Sequence, residues 1–124
     1  PMDFIKTAKA PAAIGPYSQA IKVDNFIFGS GQLPIDPQTG LMKVGIVEQT
    51  KQILSNITAI LEASKAHKND VVKTTIFLSD ISNFSIVNEI YAEYFGEHRP
   101  ARSTIEVSKL PKDSLIEIEF IAKI

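Results

Sequence analysis

Residues 71–78, VVKTTIFL, are β-branched or apolar at nearly every position, the pattern of a strand covered on both faces rather than one open to water on one side. A stretch with helical spacing lies on either side of it. Before it, Val47, Thr50, Ile53, Leu54, Ile57, Ile60 and Leu61 recur at three- and four-residue intervals with Glu48, Gln52, Ser55 and Glu62 between them, which predicts an amphipathic helix over about 46–64. After it, Asp80 and Ser82 can cap a second helix whose apolar side is Phe84, Val87, Tyr91, Tyr94 and Phe95.

The remaining extended runs decide between a parallel α/β sheet and an α+β one. Two of them, 17–23 and 26–32, flank Asp24-Asn25 and read as a hairpin; two more, 102–107 and 115–124, are joined by a segment that Pro111 breaks. Residues 10–16 and 33–40, rich in Pro and Gly, read as loops. The predicted order is β-β-α-β-α-β-β. Its strands outnumber what two crossover helices would serve, so the expected fold class is α+β, a sandwich with both helices on one face of a mixed sheet. If the other face carries Tyr17, Phe26 and Phe28, it needs cover from further copies of the chain in a closed cyclic oligomer.

Composition narrows the function classes. The 124 residues are 44% hydrophobic and 22% charged, with no repeat or linker, so one domain over 1–124 is expected; Pro1 stands ahead of Met2, where the natural chain is expected to start. A formal net charge of -1 gives no general field toward nucleic acid or an anionic membrane. With no Cys, disulfides, thiol nucleophiles and cysteine-held metals are excluded, and the two histidines, His67 and His98, lack metal-ligand spacing; no metal and no cofactor are expected. No apolar run is long enough for a membrane helix and no signal core opens the chain, so the expected location is cytoplasmic.

Arg99 and Arg102 are the only arginines. Arg102 opens a strand, and alternation sets it on one face with Thr104 and Glu106. There a guanidinium can grip a planar carboxylate with two parallel hydrogen bonds, while spacing alone favours a surface or subunit-interface salt bridge. Glu117 and Glu119 share a strand face opposite Ile116, Ile118 and Phe120; a solvent-facing strand gives that pattern, and so does a cleft carboxyl that handles a water. Ser30-Gly31 fits either a β-bulge or a close approach of backbone N–H groups to an anion. Asn88 breaks an apolar helix side, and Tyr17 is a pocket phenol or an interface aromatic. Both histidines read as structural or solvated.

Taken together, Pro100-Ala101-Arg102-Ser103, Ile105-Glu106-Val107, Leu110-Pro111-Lys112-Asp113 and Ile116-Glu117-Ile118-Glu119 resemble the C-terminal signature of the Rid family, also called the YjgF/YER057c/UK114 family. Residues 10–20, APAAIGPYSQA, and Ser30-Gly31-Gln32 are similar to its other landmarks, so the resemblance spans the chain and is strongest to the RidA branch. It implies a chorismate-mutase-like sandwich and a homotrimer with a central β-barrel and clefts between subunits. It also implies hydrolysis of 2-aminoacrylate/2-iminopropanoate and 2-iminobutanoate, made by pyridoxal-phosphate-dependent dehydratases, to 2-keto acids and ammonia. Carried over by motif, Arg102 holds the substrate carboxylate, Gly31 and Thr104 offer backbone N–H groups, Glu117 positions the water, and Tyr17, Ser30 and Asn88 line the cleft. Many RidA-like chains have Cys where this one has Thr104, so no thiol-based role carries over. The rival readings are a non-catalytic trimer that senses 2-keto acids and a ribonuclease or translation inhibitor; net charge and the absence of Trp weigh against the latter.

Overall fold

A computed structural model describes residues 1–124. Six strands, β1 (Met2–Ile5), β2 (Ala20–Val23), β3 (Phe26–Gln32), β4 (Val71–Leu78), β5 (Ala101–Glu106) and β6 (Ile116–Lys123), form one sheet in the order β1-β2-β3-β6-β4-β5. β4 and β5 pair in parallel and every other pair is antiparallel. Helix α1 (Ile46–Ala63) connects β3 to β4, and α2 (Phe84–Phe95) connects β4 to β5. The fold is α+β with a mixed sheet, as the residue pattern predicts.

Three details differ from the sequence reading. β1 adds a strand at the start, giving β-β-β-α-β-α-β-β; MDFI is too short to carry a diagnostic alternation and gains its order from pairing Phe4 with Ile21. Tyr17 and Ser18 lie outside the hairpin, because Tyr17 N–H closes a turn on the Gly15 carbonyl at 2.8 Å and β2 begins only at Ala20. Asp80 caps a single 3₁₀ turn (Ile81–Asn83) that leads into α2, its carboxylate accepting from Ser82 N–H at 2.9 Å, and this bond holds its pKa below the ordinary value.

The core lies between the helices and one sheet face. Ile53, Ile57, Ile60 and Leu61 of α1, with Val87, Tyr91 and Phe95 of α2, pack over Ile27, Ile76, Leu78, Ile116, Ile118 and Phe120. Phe120 is fitted by subtraction: a Cβ at Gly29, its cross-strand partner, would collide with the ring. No helix is long and apolar enough to cross a membrane.

Within the chain, the opposite face of the sheet has no cover. Phe4, Phe26, Phe28 and Ile105 retain 68%, 41%, 45% and 46% of their exposure. Register puts Phe28 beside Ile21 and Ile121, and Ile21 beside Phe4, so on this part of the sheet the side chains form a continuous apolar surface rather than scattered exceptions; Ile105 stands apart from it, beside Phe77. Within the single chain β4 is covered on its helix face only: Val72 remains 43% exposed while Ile76 and Leu78 are sealed under the helices.

Three buried amides hold the loops where hydrophobic contact cannot. Gln19 accepts from Thr7 N–H at 2.7 Å and donates toward the carbonyls of Thr7, Ala10 and Pro11 at 3.0, 3.3 and 2.8 Å. Asn56 donates to the carbonyls of Leu33 and Ile35 at 3.1 and 3.0 Å, and Gln49 bridges Lys43 and Leu115. Each satisfies loop backbone groups that would otherwise be buried unpaired.

The Gly29–Phe120 contact yields a direct test. Gly29→Ala is expected to destabilise the fold by about 1–3 kcal/mol, seen as a lower urea midpoint at unchanged slope.

Candidate functional site

The candidate residues divide into two groups on opposite faces of the sheet. Arg102 pairs in register with Thr74, and Thr74 pairs with Phe120 on the helix-covered face. Glu117 pairs with Phe77, one residue out of phase with that set, and so projects from the uncovered face. One chain therefore does not bring Arg102 and Glu117 to a common point.

On the uncovered side, Tyr17, Ser30, Gly31, Glu117 and Glu119 line a cleft of about 570 Å³. The sequence builds it with a bulge: Gly29 faces Phe120 and Gln32 faces Ile118, so Ser30 and Gly31 are spread over a single residue step of β6. Ser30 is fixed twice to the loop before β2, its N–H donating to the Gln19 carbonyl at 3.0 Å and its hydroxyl to the Ser18 carbonyl at 2.6 Å. Glycine is required next to it, because any Cβ at Gly31 would occupy the place of the Glu117 carboxyl. Ser30-Gly31 is thus a bulge, one of the two readings its sequence left open, and its glycine makes room for the Glu117 carboxyl. Burial raises the Glu117 pKa above the ordinary carboxylate value, and the charge of Glu119 adds to the rise. Tyr17 is 53% exposed at the rim, with its phenol free of any partner in the chain.

On the helix side, α2 presents Phe84, Asn88 and Tyr91, at i, i+4 and i+7, toward the start of β5. The Asn88 side-chain oxygen accepts from the Arg102 guanidinium at 2.8 Å, and the guanidinium carbon stands 5.3 Å from the centre of the Phe84 ring and 4.9 Å from that of Tyr91. Tyr91 is anchored in turn by a 2.6 Å hydrogen bond with Thr74; burial raises its phenol pKa, against the pull of that bond and of the Arg102 charge. The chain's one ion pair, Lys43–Asp36 at 3.6 Å, lies elsewhere, so Arg102 has no carboxylate partner in its own chain. Two residues on, the Thr104 hydroxyl oxygen is buried without a hydrogen bond. β5 is an edge strand, and since Val107 N–H bonds to the Leu78 carbonyl, alternation turns the N–H groups of Arg102 and Thr104 toward the open edge.

Both histidines have local partners. His67 Nδ1 accepts from Asn69 N–H at 3.2 Å, and His98 Nε2 lies 2.6 Å from the Val71 carbonyl. The sequence reading missed two features of these sites. Phe84 and Tyr91 read as core aromatics, although their spacing around Asn88 marks a common face; the Gln19 clamp has no sequence signal at all.

A family model described as Endoribonuclease L-PSP matches residues 7–124. The chain belongs to this family, whose members include the Rid proteins. A RutC family protein of Pyrococcus abyssi is 60% identical over 121 residues, covering 97% of this chain and 95% of the relative. A Capra hircus protein named 2-iminobutanoate/2-iminopropanoate deaminase is 53% identical over 120 residues, 96% of this chain and 88% of its own. Among solved structures, that of the Rid-family protein YyfA from Yersinia pestis superposes with a TM-score of 0.98 at 51% identity and covers 100% of both chains.

For this Rid-family chain the Glu117 environment has a consequence for stability. A carboxyl with a raised folded-state pKa holds its proton to higher pH in the folded than in the unfolded chain, so stability falls as pH climbs from the ordinary carboxylate value through the raised one. Glu117→Gln is expected to raise the melting temperature at pH 7 and to leave it unchanged near about pH 3, where both states are protonated. Glu119→Gln is expected to shift the Glu117 titration, followed by carboxyl NMR, part of the way back down.

Proposed function

We propose that the protein is an enamine/imine deaminase that hydrolyses 2-aminoacrylate/2-iminopropanoate and 2-iminobutanoate to 2-keto acids and ammonia, at clefts completed between subunits of a homotrimer. The observation that carries this reading is the unpaired Arg102: a guanidinium held by aromatic rings and an amide, with no acidic neighbour, is a receptor for a carboxylate that comes from outside the chain. The names of the relatives, deaminases of small imino acids, agree with such a ligand. The interface location is supported by the separation of Arg102 and Glu117 onto opposite sheet faces and by the uncovered apolar surface of Phe26, Phe28 and Ile105.

In this reading Arg102 of one subunit fixes the substrate carboxylate and with it the plane of the C=N bond. Thr104, through its outward N–H, and Asn88 complete that side. Glu117 of the neighbouring subunit, with Gly31, Ser30 and Tyr17 around it, handles the water. Its carboxylate takes one proton of the water as the oxygen bonds to the imine carbon and passes it to the nitrogen, giving a carbinolamine; it then takes the hydroxyl proton and passes that to the same nitrogen, so that the C–N bond breaks, ammonia leaves and the carbonyl forms. An enamine first takes a proton from solvent at its terminal carbon and gives one up from nitrogen to solvent, becoming the imine, and then follows the same course. A pKa lifted by burial makes the carboxylate a better proton acceptor than an ordinary one, as a group that takes a proton from water requires. Because the imine carbon is already electrophilic, orientation and proton transfer suffice without a covalent nucleophile.

The test couples a threonine or serine dehydratase to the protein and follows keto-acid release. Acceleration by wild type, abolished in Arg102→Ala, lowered by about 10²–10⁴-fold in Glu117→Ala and strongly reduced in Arg102→Lys, which keeps the charge without the fork, is the expected result. Wild type that binds 2-ketobutyrate without accelerating release would move the function to keto-acid sensing. Subunit sharing has its own readout: co-refolding equal amounts of Arg102→Ala and Glu117→Ala chains is expected to recover roughly a quarter of wild-type activity, since one cleft in four draws both intact residues. No recovery would place both residues in one subunit's site.

A further inference from the structure

We propose that Phe84 and Tyr91 are positioning residues: their ring faces bracket the Arg102 guanidinium and hold its fork at a fixed angle for the incoming carboxylate. The proposal rests on the carboxylate-binding reading of Arg102 and adds the means by which that side chain is preset.

An arginine side chain is long, and a partly buried cation without an acidic partner has no ionic anchor to fix it. Here α2 supplies three contacts from one helix face. Phe84 and Tyr91 offer π-faces at 5.3 and 4.9 Å from the guanidinium carbon, and Asn88, between them in sequence, takes one N–H at 2.8 Å. A guanidinium is planar and weakly hydrated, so aromatic faces attract it without consuming its in-plane donors. A carboxylate in the same place would also fix the side chain, but it would neutralise the charge and occupy the fork. The bracket therefore orients Arg102 while leaving the charge and the remaining N–H groups for a ligand. The 2.6 Å bond between Thr74 and the Tyr91 hydroxyl ties α2 to β4 and serves the stability of the fold; the ring faces, not this bond, hold the guanidinium.

The experiment measures 2-ketobutyrate binding by calorimetry and, separately, kcat and KM in the coupled dehydratase assay. Phe84→Leu is expected to weaken 2-ketobutyrate binding and raise KM about tenfold, with kcat within about threefold of wild type, since the carboxylate contact is present in ground and transition states alike. Phe84→Tyr, which restores a ring face, is expected to return both to within about twofold of wild type. In an Arg102→Lys background the same Phe84→Leu change is expected to have an effect of less than about threefold, because there is no fork left to orient. Tyr91→Phe keeps the ring and removes only the bond to Thr74, so it is expected to lower the melting temperature while leaving 2-ketobutyrate affinity nearly unchanged.

The outcomes separate the two readings. An active wild type whose Phe84→Leu variant binds and turns over normally overturns the bracket and leaves the deaminase standing. Wild type that binds 2-ketobutyrate in a Phe84-dependent way without turnover supports the bracket and overturns the deaminase. A Tyr91→Phe loss of affinity as large as that of Phe84→Leu would assign the orientation to the hydroxyl relay through Thr74 and overturn the role of the ring faces. If wild type binds no carboxylate, both readings fall.

Discussion

The sheet depends on β6. The strands before α1 form one antiparallel meander, and β4 and β5 form a parallel pair; these two units share no hydrogen-bonded edge except through the last strand, which lies between β3 and β4. The same eight residues supply both layers of the protein's chemistry. Ile116, Ile118, Phe120 and Ala122 fill the core beneath the helices, and Glu117 and Glu119 project from the other side. A strand's period of two makes this division strict: a slip of one residue would send two carboxylates into the core and the aromatic ring into water.

Backbone made bare on purpose accompanies that strand. Gly29 leaves room for the Phe120 ring and Gly31 leaves room for the Glu117 carboxyl, so two residues three positions apart on β6 each meet a glycine on β3, one on either face. The bulge between them accommodates the changed spacing. Around the cleft, order comes from polar groups rather than apolar packing: Gln19 gathers residues 7–11, and Ser30 ties the bulge to that same loop. The cleft wall is thus held by hydrogen bonds although little of it is core.

The fold was legible where periodicity is strong. The stripe of α1, the alternation in β6 and the Asp24-Asn25 hairpin all reproduce their spacing in the structure, and the two helices do share one sheet face. β1 was not legible, because four residues held by a single neighbouring strand have no pattern of their own. Strand order was equally hidden: nothing local in residues 116–123 says that they insert between β3 and β4. For the candidate site, residue types and motifs singled out Arg102 and Glu117 as candidates, but only register shows that they lie on opposite faces of the sheet. Phe84 and Tyr91 were hidden for another reason. An aromatic on an amphipathic helix reads as core, and the cation that makes its face matter lies on another element.

The central place of β6 has a consequence for folding. Before β6 inserts, the meander and the β4–β5 pair stand with the facing edges of β3 and β4 unfilled, each a template for the wrong strand. Closure of this sheet therefore waits on a pairing between residues far apart in sequence, β3 with β6, and a chain deprived of β6 is left with two unjoined half-sheets rather than a slightly smaller one.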